Sequence, residues 1–422
     1  MHKLLVVLAC SIGFSCFAQI EEVRRITERL CSPEMHGRGY VNMGDSIAGA
    51  FIADEFKALG IQPLKGGYFQ EFKHTVNTFP GAMSLRYSQK RLTPGVHFMV
   101  DPSSSGVDAT LKPKKVSLET MLNADELALE IRRINKDKEL NCIALDFTKA
   151  KGDTLKKLAG LSKEIAKILP VIEITNQKFT WSVSSERLPN PLIYIQDSAY
   201  QEGQYIKADI QTNLWEDYAS RNVIAYLPGT KGAKKTIVFT AHYDHLGRMG
   251  ELTYFPGAND NASGTAMLLT LAKYFKEHPV NINILFIAFA GEEAGLLGSK
   301  HYVEHPTYPM KKMNFLVNLD IMGSGEEGIT VVNATLFNDQ FNLLQEINTE
   351  KGLLTQVKSR GPAQNSDHYW FTEKGVPAFF IYTMGSNKNY HDVFDTYENL
   401  TFSEYSDITT LLSEFVLRLP LK

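Results

Sequence analysis

From Asn222 onward, short runs that are apolar throughout alternate with segments of helical period, and this alternation restricts the fold of the 422-residue chain more than any other feature. Val223 to Leu227, Thr236 to Ala241, Ile284 to Phe289, Phe315 to Leu319 and Val376 to Tyr382 read as strands without a polar face. Such strands must be covered on both sides. That predicts an α/β fold: a mostly parallel, mixed and twisted sheet with helices on both faces. The covering helices are expected at Ala262 to Lys276, with Met267, Leu268, Leu271 and Phe275 inward, at Leu296 to Val303, and at Ser403 to Leu417.

The rest of the chain has a different texture. Lys3, the apolar run Leu4 to Phe17, and Ala18 before Gln19 form the pattern of an export signal, so residues 1–18 are assigned to a signal peptide. Export predicts a periplasmic or extracellular protein with no integral membrane segment after cleavage. Lipid attachment at Cys10 or Cys16 stays open, although neither follows a convincing lipobox. Cys31 and Cys142 remain in the mature chain, where one disulfide is allowed but not implied. Residues 19–80 are the first part of the main domain, largely helical from Glu21 to about Leu64 and then a strand over Phe69 to Thr75. Residues 81–212 are rich in Lys, Ser and Pro, alternate short strands with a charged helix at Leu155 to Ile168, and read as an inserted accessory domain. Residues 213–422 complete the main domain. At 44% hydrophobic and 22% charged residues the composition is that of a globular protein, and a net charge of −3 gives no reason to expect nucleic acid. Oligomeric state is not legible.

In open α/β sheets, ligands bind beyond the carboxyl ends of the strands. His242 and Asp244, the pair Glu292 and Glu293, Asp320 and His391 all follow predicted strands, and Asp260 lies in a turn before a helix. Each alone would read as a loop pair, a cap or a surface acid. Together they supply two imidazoles and four carboxylates to one sheet edge. Imidazole nitrogen and carboxylate oxygen suit zinc, and two ions about 3.5–4 Å apart can activate water while polarising a carbonyl. Asp260 is then the expected bridge, with His242 and Asp320 on one metal and Glu293 and His391 on the other. Glu292 is left free as general base, and Asp244 is placed to orient the His242 imidazole. His245, His301, His305 and His368 are read as structural or surface residues.

The segments His242 to Gly247, Gly257 to Gly264, Gly291 to Ser299, Asn318-Leu319-Asp320 and Tyr390-His391 resemble the clan MH zinc metallopeptidases, and among them the bacterial secreted aminopeptidases. Ser32 to Gly39 is similar to the start of exported members. The resemblance implies the zinc-peptidase (phosphorylase/hydrolase-like) fold and two zinc ions bridged by Asp260, on the ligands named above. It also implies Glu292 as the base acting on a metal-activated water, a cis peptide between Asp260 and Asn261, and Tyr390 as a donor to the oxyanion. Many relatives carry a protease-associated insert where this chain has residues 81–212. The leading expectation is an exported aminopeptidase acting on peptide substrates. A glutaminyl cyclase, an acidic-dipeptide carboxypeptidase or a non-catalytic receptor module could share the scaffold.

Overall fold

The structure is a computed structural model describing residues 20–137, 139–230 and 232–420. The expected signal peptide, residues 1–18, lies outside the described residues. The main sheet has eight strands: β1 (Phe69–Thr78), β2 (Asn213–Leu227), β3 (Thr236–His242), β4 (Asn283–Phe289), β5 (Met313–Leu319), β6 (Ile329–Val332), β7 (Val357–Ser359) and β8 (Ala378–Thr383). Their order is β1-β2-β4-β3-β5-β8-β6-β7. The four central strands are parallel, because β3 pairs with both β4 and β5, and β5 pairs with β8, in the same direction. Antiparallel strands enter at β2 beside β4 and at β6 beside β8.

Every residue of β3 and of β4 is buried, as unbroken apolar runs require. Their side chains alternate between two cores. Ile237, Phe239 and Ala241 face a core shared with α1 (20–31), α2 (Gly44–Ala58), α3 (Gly264–Glu277), α5 (Asn338–Lys351) and α7 (Tyr405–Arg418). Val238 faces the other, with Tyr302 of α4 (Leu297–Glu304) and Phe371 of α6 (His368–Glu373).

The long helical stretch expected from Glu21 is broken. A 3-10 segment at Pro33–Arg38 separates α1 from α2, and His36, Gly37 and Arg38 take positive φ there. The charged helix expected at Leu155 to Ile168 is two short helices, Asp153–Lys157 and Leu161–Ala166, because Gly160 turns left-handed between them at φ 80°. The strands β6 and β7 and the helix α5 carry no strong periodic signal and escaped the sequence reading.

Between Met83 and Ile210 the strands belong to separate sheets. One has four strands in the order Arg91–Leu92, Met83–Arg86, Ile206–Ile210, Val107–Leu111. The other has five, of which Pro113–Val116, Cys142–Asp146, Val171–Thr175 and Leu192–Gln196 run parallel. Their shared core takes in Leu246, Met249 and Phe255 from the main sheet's loops. The cysteines Cys31 and Cys142 are buried and free.

Candidate active site

The parallel strands β3, β4, β5 and β8 share one carboxyl edge, and the chain delivers its acids and imidazoles there. His242 ends β3, Glu292 and Glu293 lie in the turn after β4, Asp320 follows β5, and His391 follows β8 across a loop. Asp260 sits in the irregular segment Ala258–Ser263, where its peptide bond to Asn261 is cis.

Asp260 lies between the two imidazoles. Its Oδ1 is 3.3 Å from His242 Nε2 and its Oδ2 is 3.0 Å from His391 Nε2. His242 Nε2 also approaches Asp320 Oδ2 at 3.4 Å, and His391 Nε2 approaches Glu293 Oε2 at 3.2 Å. Both rings hold their other nitrogen against a backbone carbonyl: His242 Nδ1 lies 3.2 Å from the Asp244 oxygen and His391 Nδ1 lies 2.9 Å from that of Trp181. A proton on each Nδ1 turns each Nε2 toward the carboxylates, the nitrogen a metal-binding imidazole would use once its own proton is lost.

The electrostatics show a site short of positive charge. Burial alone would depress His242, yet Asp320, Glu292 and Asp260 raise it well above the usual imidazole value. For His391 burial is likewise overridden, by Glu293 and Asp260, which push it to about 11. Against the cost of burial, His391 and His245 hold Glu293 down at about 2, and His242 and His391 hold Asp260 well below the carboxylate range. Glu292 goes the other way: burial raises it strongly, with His242 opposing and Glu293 and Asp367 adding. Asp320 Oδ1 is buried without a hydrogen-bond partner among the described residues. Buried carboxylates of this kind are stable when paired or bound to a cation. The ligand atoms of His242, Asp260 and Asp320 lie within 4.8 Å of one another, as do those of His245, Asp260 and Glu293. This donor set of imidazole nitrogen and carboxylate oxygen fits a pair of divalent ions such as zinc.

One expectation needs correcting in its contact: the Asp244 carboxylate stands 3.8 Å from His242 Nδ1, within ion-pair reach but outside hydrogen-bond range. The Asp244 carbonyl takes that nitrogen instead. Its carboxylate accepts from the backbone N–H groups of Glu292 (3.2 Å) and Glu293 (3.3 Å) and from the Tyr40 hydroxyl (2.7 Å), so it holds the glutamate turn. Of the two readings given for His245, structural or surface, the structural one fits: it is fully buried, and its Nδ1 lies 2.7 Å from Glu293 Oε1. Both glutamate oxygens are therefore engaged, one by His245 and one by His391. Tyr390 stands at the pocket rim with its ring stacked on that of His391 at 3.9 Å.

The supporting residues were not read as part of the site, although Arg38 and Gly39 lie in the Ser32 to Gly39 segment that resembles exported members. Arg38 is fully buried and donates to the carbonyls of Leu30, Tyr243, Pro256, Gly257 and Asp260. Its neighbour Gly39 leaves no room for a Cβ, which would collide with the Gly247 backbone. The Asp395 carboxylate accepts from the N–H groups of Asn259 and Asp260. The cluster opens into a pocket of about 260 Å³ whose wall is Ile321, Phe380 and Tyr382.

Residues 222–416 match the profile of peptidase family M28. This part of the chain belongs to peptidase family M28. The aminopeptidase YwaD of Bacillus subtilis is 31% identical over 207 residues, which is 47% of this chain and 44% of YwaD. A probable zinc metalloprotease of Pyrenophora teres f. teres is 35% identical over 113 residues, 25% of this chain and 23% of its own. The chain thus spans less than half the length of these relatives. Likeness in structure reaches beyond the M28 segment. The zinc aminopeptidase BSAP of Bacillus subtilis aligns over 94% of both chains with a TM-score of 0.69 at 19% identity. An aminopeptidase of Aneurinibacillus sp. strain AM-1 aligns over 94% of this chain and 93% of its own, with a TM-score of 0.61 at 19% identity. The fold is therefore that of the M28 aminopeptidase structures, middle stretch included.

Proposed function

We propose that the protein is an exported, zinc-dependent aminopeptidase that removes N-terminal residues from peptides. The observation that carries the reading is the placement of Asp260, with one carboxylate oxygen toward His242 and the other toward His391. In this reading His242, Asp260 and Asp320 on one side and Asp260, Glu293 and His391 on the other would hold two zinc ions. When bound, zinc supplies Lewis-acid polarisation of the scissile carbonyl and acidifies water. The likeness to an aminopeptidase and to a probable zinc metalloprotease supports the metal and the reaction class.

The chain's own residues do the rest. Glu292 lines the pocket and takes the proton of the attacking water, then returns it to the leaving amine. The acidic floor of Asp260, Glu292 and Asp320 favours the cationic α-amine of a peptide N-terminus. Tyr390, at the rim, donates to the oxyanion as it forms. A pocket of about 260 Å³ suits a single residue and not a long stretch of peptide. Residues 81–212 act as an accessory domain that fixes His391 through the Trp181 carbonyl. Export rests on the residues before Gln19, and no helix among the described residues is long and apolar enough to cross a membrane.

The test is Glu292→Gln. Leucinamide hydrolysis should fall by about 10²–10⁴-fold while metal analysis still finds two zinc per chain. An unchanged rate sinks the base assignment. One zinc with pyroglutamate formation from N-terminal glutamine would transfer the reading to a cyclase.

A further inference from the structure

Arg360 follows β7 and reaches the active-site pocket. Its backbone is anchored by an N–H to the Val331 carbonyl at 2.9 Å. Its Nη1 donates to the Tyr382 hydroxyl at 3.0 Å, and its guanidinium lies 6.0 Å from the centroid of that ring. Among the residues lining the pocket it is the only one with a permanent positive charge. No carboxylate among the described residues lies within ion-pair distance of it.

The side chain is exposed to solvent, so the pocket is open to a ligand at this point. A guanidinium has five N–H donors in a rigid fork that matches a carboxylate. Here one donor is spent on Tyr382, which restrains the side chain and lowers the entropy lost when a further group binds. The wall of Ile321, Phe380 and Tyr382 alone would suit an aliphatic or aromatic residue. Adding a cation without an anionic partner changes that preference.

We propose that Arg360 is a specificity-determining residue that receives a carboxylate of the substrate, so that the pocket selects carboxylate-bearing peptides. The inference rests on the peptidase reading of the same pocket. The carboxylate has two sources: the side chain of an N-terminal Asp or Glu, or the C-terminus of a short peptide. Either forms a charge-assisted pair with the guanidinium, and a cationic side chain in the same place is repelled.

The experiment uses the zinc-loaded full chain and two matched pairs. Glutamyl amide against glutaminyl amide reports the side-chain source, and Leu-Leu against Leu-Leu-amide reports the C-terminal source. We expect kcat/KM for the carboxylate member of one pair to exceed its neutral counterpart by about tenfold or more. Arg360→Gln should bring that ratio to near one, and Arg360→Glu should turn the preference toward a lysyl amide. The ratio is the readout, because a merely structural role would lower both members together and leave it unmoved. Ratios near one in both pairs, or a ratio unchanged in Arg360→Gln, overturn the proposal.

Calorimetric titration of the same proteins with L-glutamate against L-glutamine, and with Leu-Leu against Leu-Leu-amide, gives the preference without turnover. If nothing is hydrolysed but wild type still binds the carboxylate member more tightly and Arg360→Gln does not, the peptidase reading fails and the carboxylate site stands. If leucinamide is cleaved and neither rates nor binding favour a carboxylate, the peptidase reading stands and this one fails.

Discussion

At the scale of the residue, the cluster depends on side chains that bind no substrate. Arg38 is the clearest case, since its buried guanidinium gathers carbonyls from the loops bearing His242 and Asp260. Taking it away strands those carbonyls without partners. Arg38→Met should therefore destabilise the protein by about 3–5 kcal/mol, the cost of breaking a buried polar network, read as a lower midpoint in urea unfolding. Arg38→Lys keeps the charge but offers three donors in place of five, so its midpoint should fall between the two. A midpoint within error of wild type for the Met variant would remove Arg38 from this role. Its conformation is part of the cause, because φ is 49° at Arg38 and the flanking glycines let the segment press on the backbone at Gly247.

At the scale of the element, parallel pairing does the assembling. Strands β3, β4, β5 and β8 end on one edge, and each is followed by a side chain of the cluster. His391 is the exception, because its loop is long and needs support from outside the main sheet. That support is Trp181, whose backbone makes two contacts with it: the Trp181 N–H donates to the His391 carbonyl at 2.7 Å, and the His391 ring nitrogen Nδ1 meets the Trp181 carbonyl at 2.9 Å. The indole stacks on Phe255 at 4.7 Å and donates to the Val100 carbonyl at 2.7 Å. Trp181→Ala should cost about 3–5 kcal/mol. It should also weaken zinc binding by about 10–100-fold, as loss of a partner that orients a ligand does, measured by competition with a chromophoric chelator. Unaltered zinc affinity in a destabilised variant would show that the indole packs without positioning His391.

At the scale of the whole molecule, the balance is electrostatic. Asp260, Glu292, Glu293 and Asp320 meet at one end of a sheet whose interior is otherwise apolar, with His242 and His391 drawn toward their charged forms to compensate. Two divalent ions would relieve that shortage of positive charge and so stabilise the folded chain. Chelation at neutral pH should lower Tm by about 3–4 °C per site, from a loss of roughly 3 kcal/mol for a site held near 100 times its Kd. Scanning calorimetry before and after chelator, with zinc added back, measures it. A Tm that does not respond would mean that the cluster carries no tightly bound metal.

What the sequence alone determined is the α/β class, the one-edge location of the chemistry, and His242, Asp260, Glu292, Glu293, Asp320 and His391 as its members. Those are properties of local pattern: unbroken apolar runs demand cover on both faces, and parallel strands put their ends together. The tertiary structure decided the partners. Asp244 lies two residues from His242 yet its carboxylate holds the glutamate turn, because the strand end points that side chain toward the neighbouring strand's loop. His245 meets Glu293, Asp395 meets the Asp260 turn, and Trp181 meets His391 across 210 residues of chain. Arg360 enters the pocket from a strand too short to leave a pattern. Such contacts join residues remote in sequence, and no periodicity records them; they come into being only when the packed sheet brings its loops to the same edge.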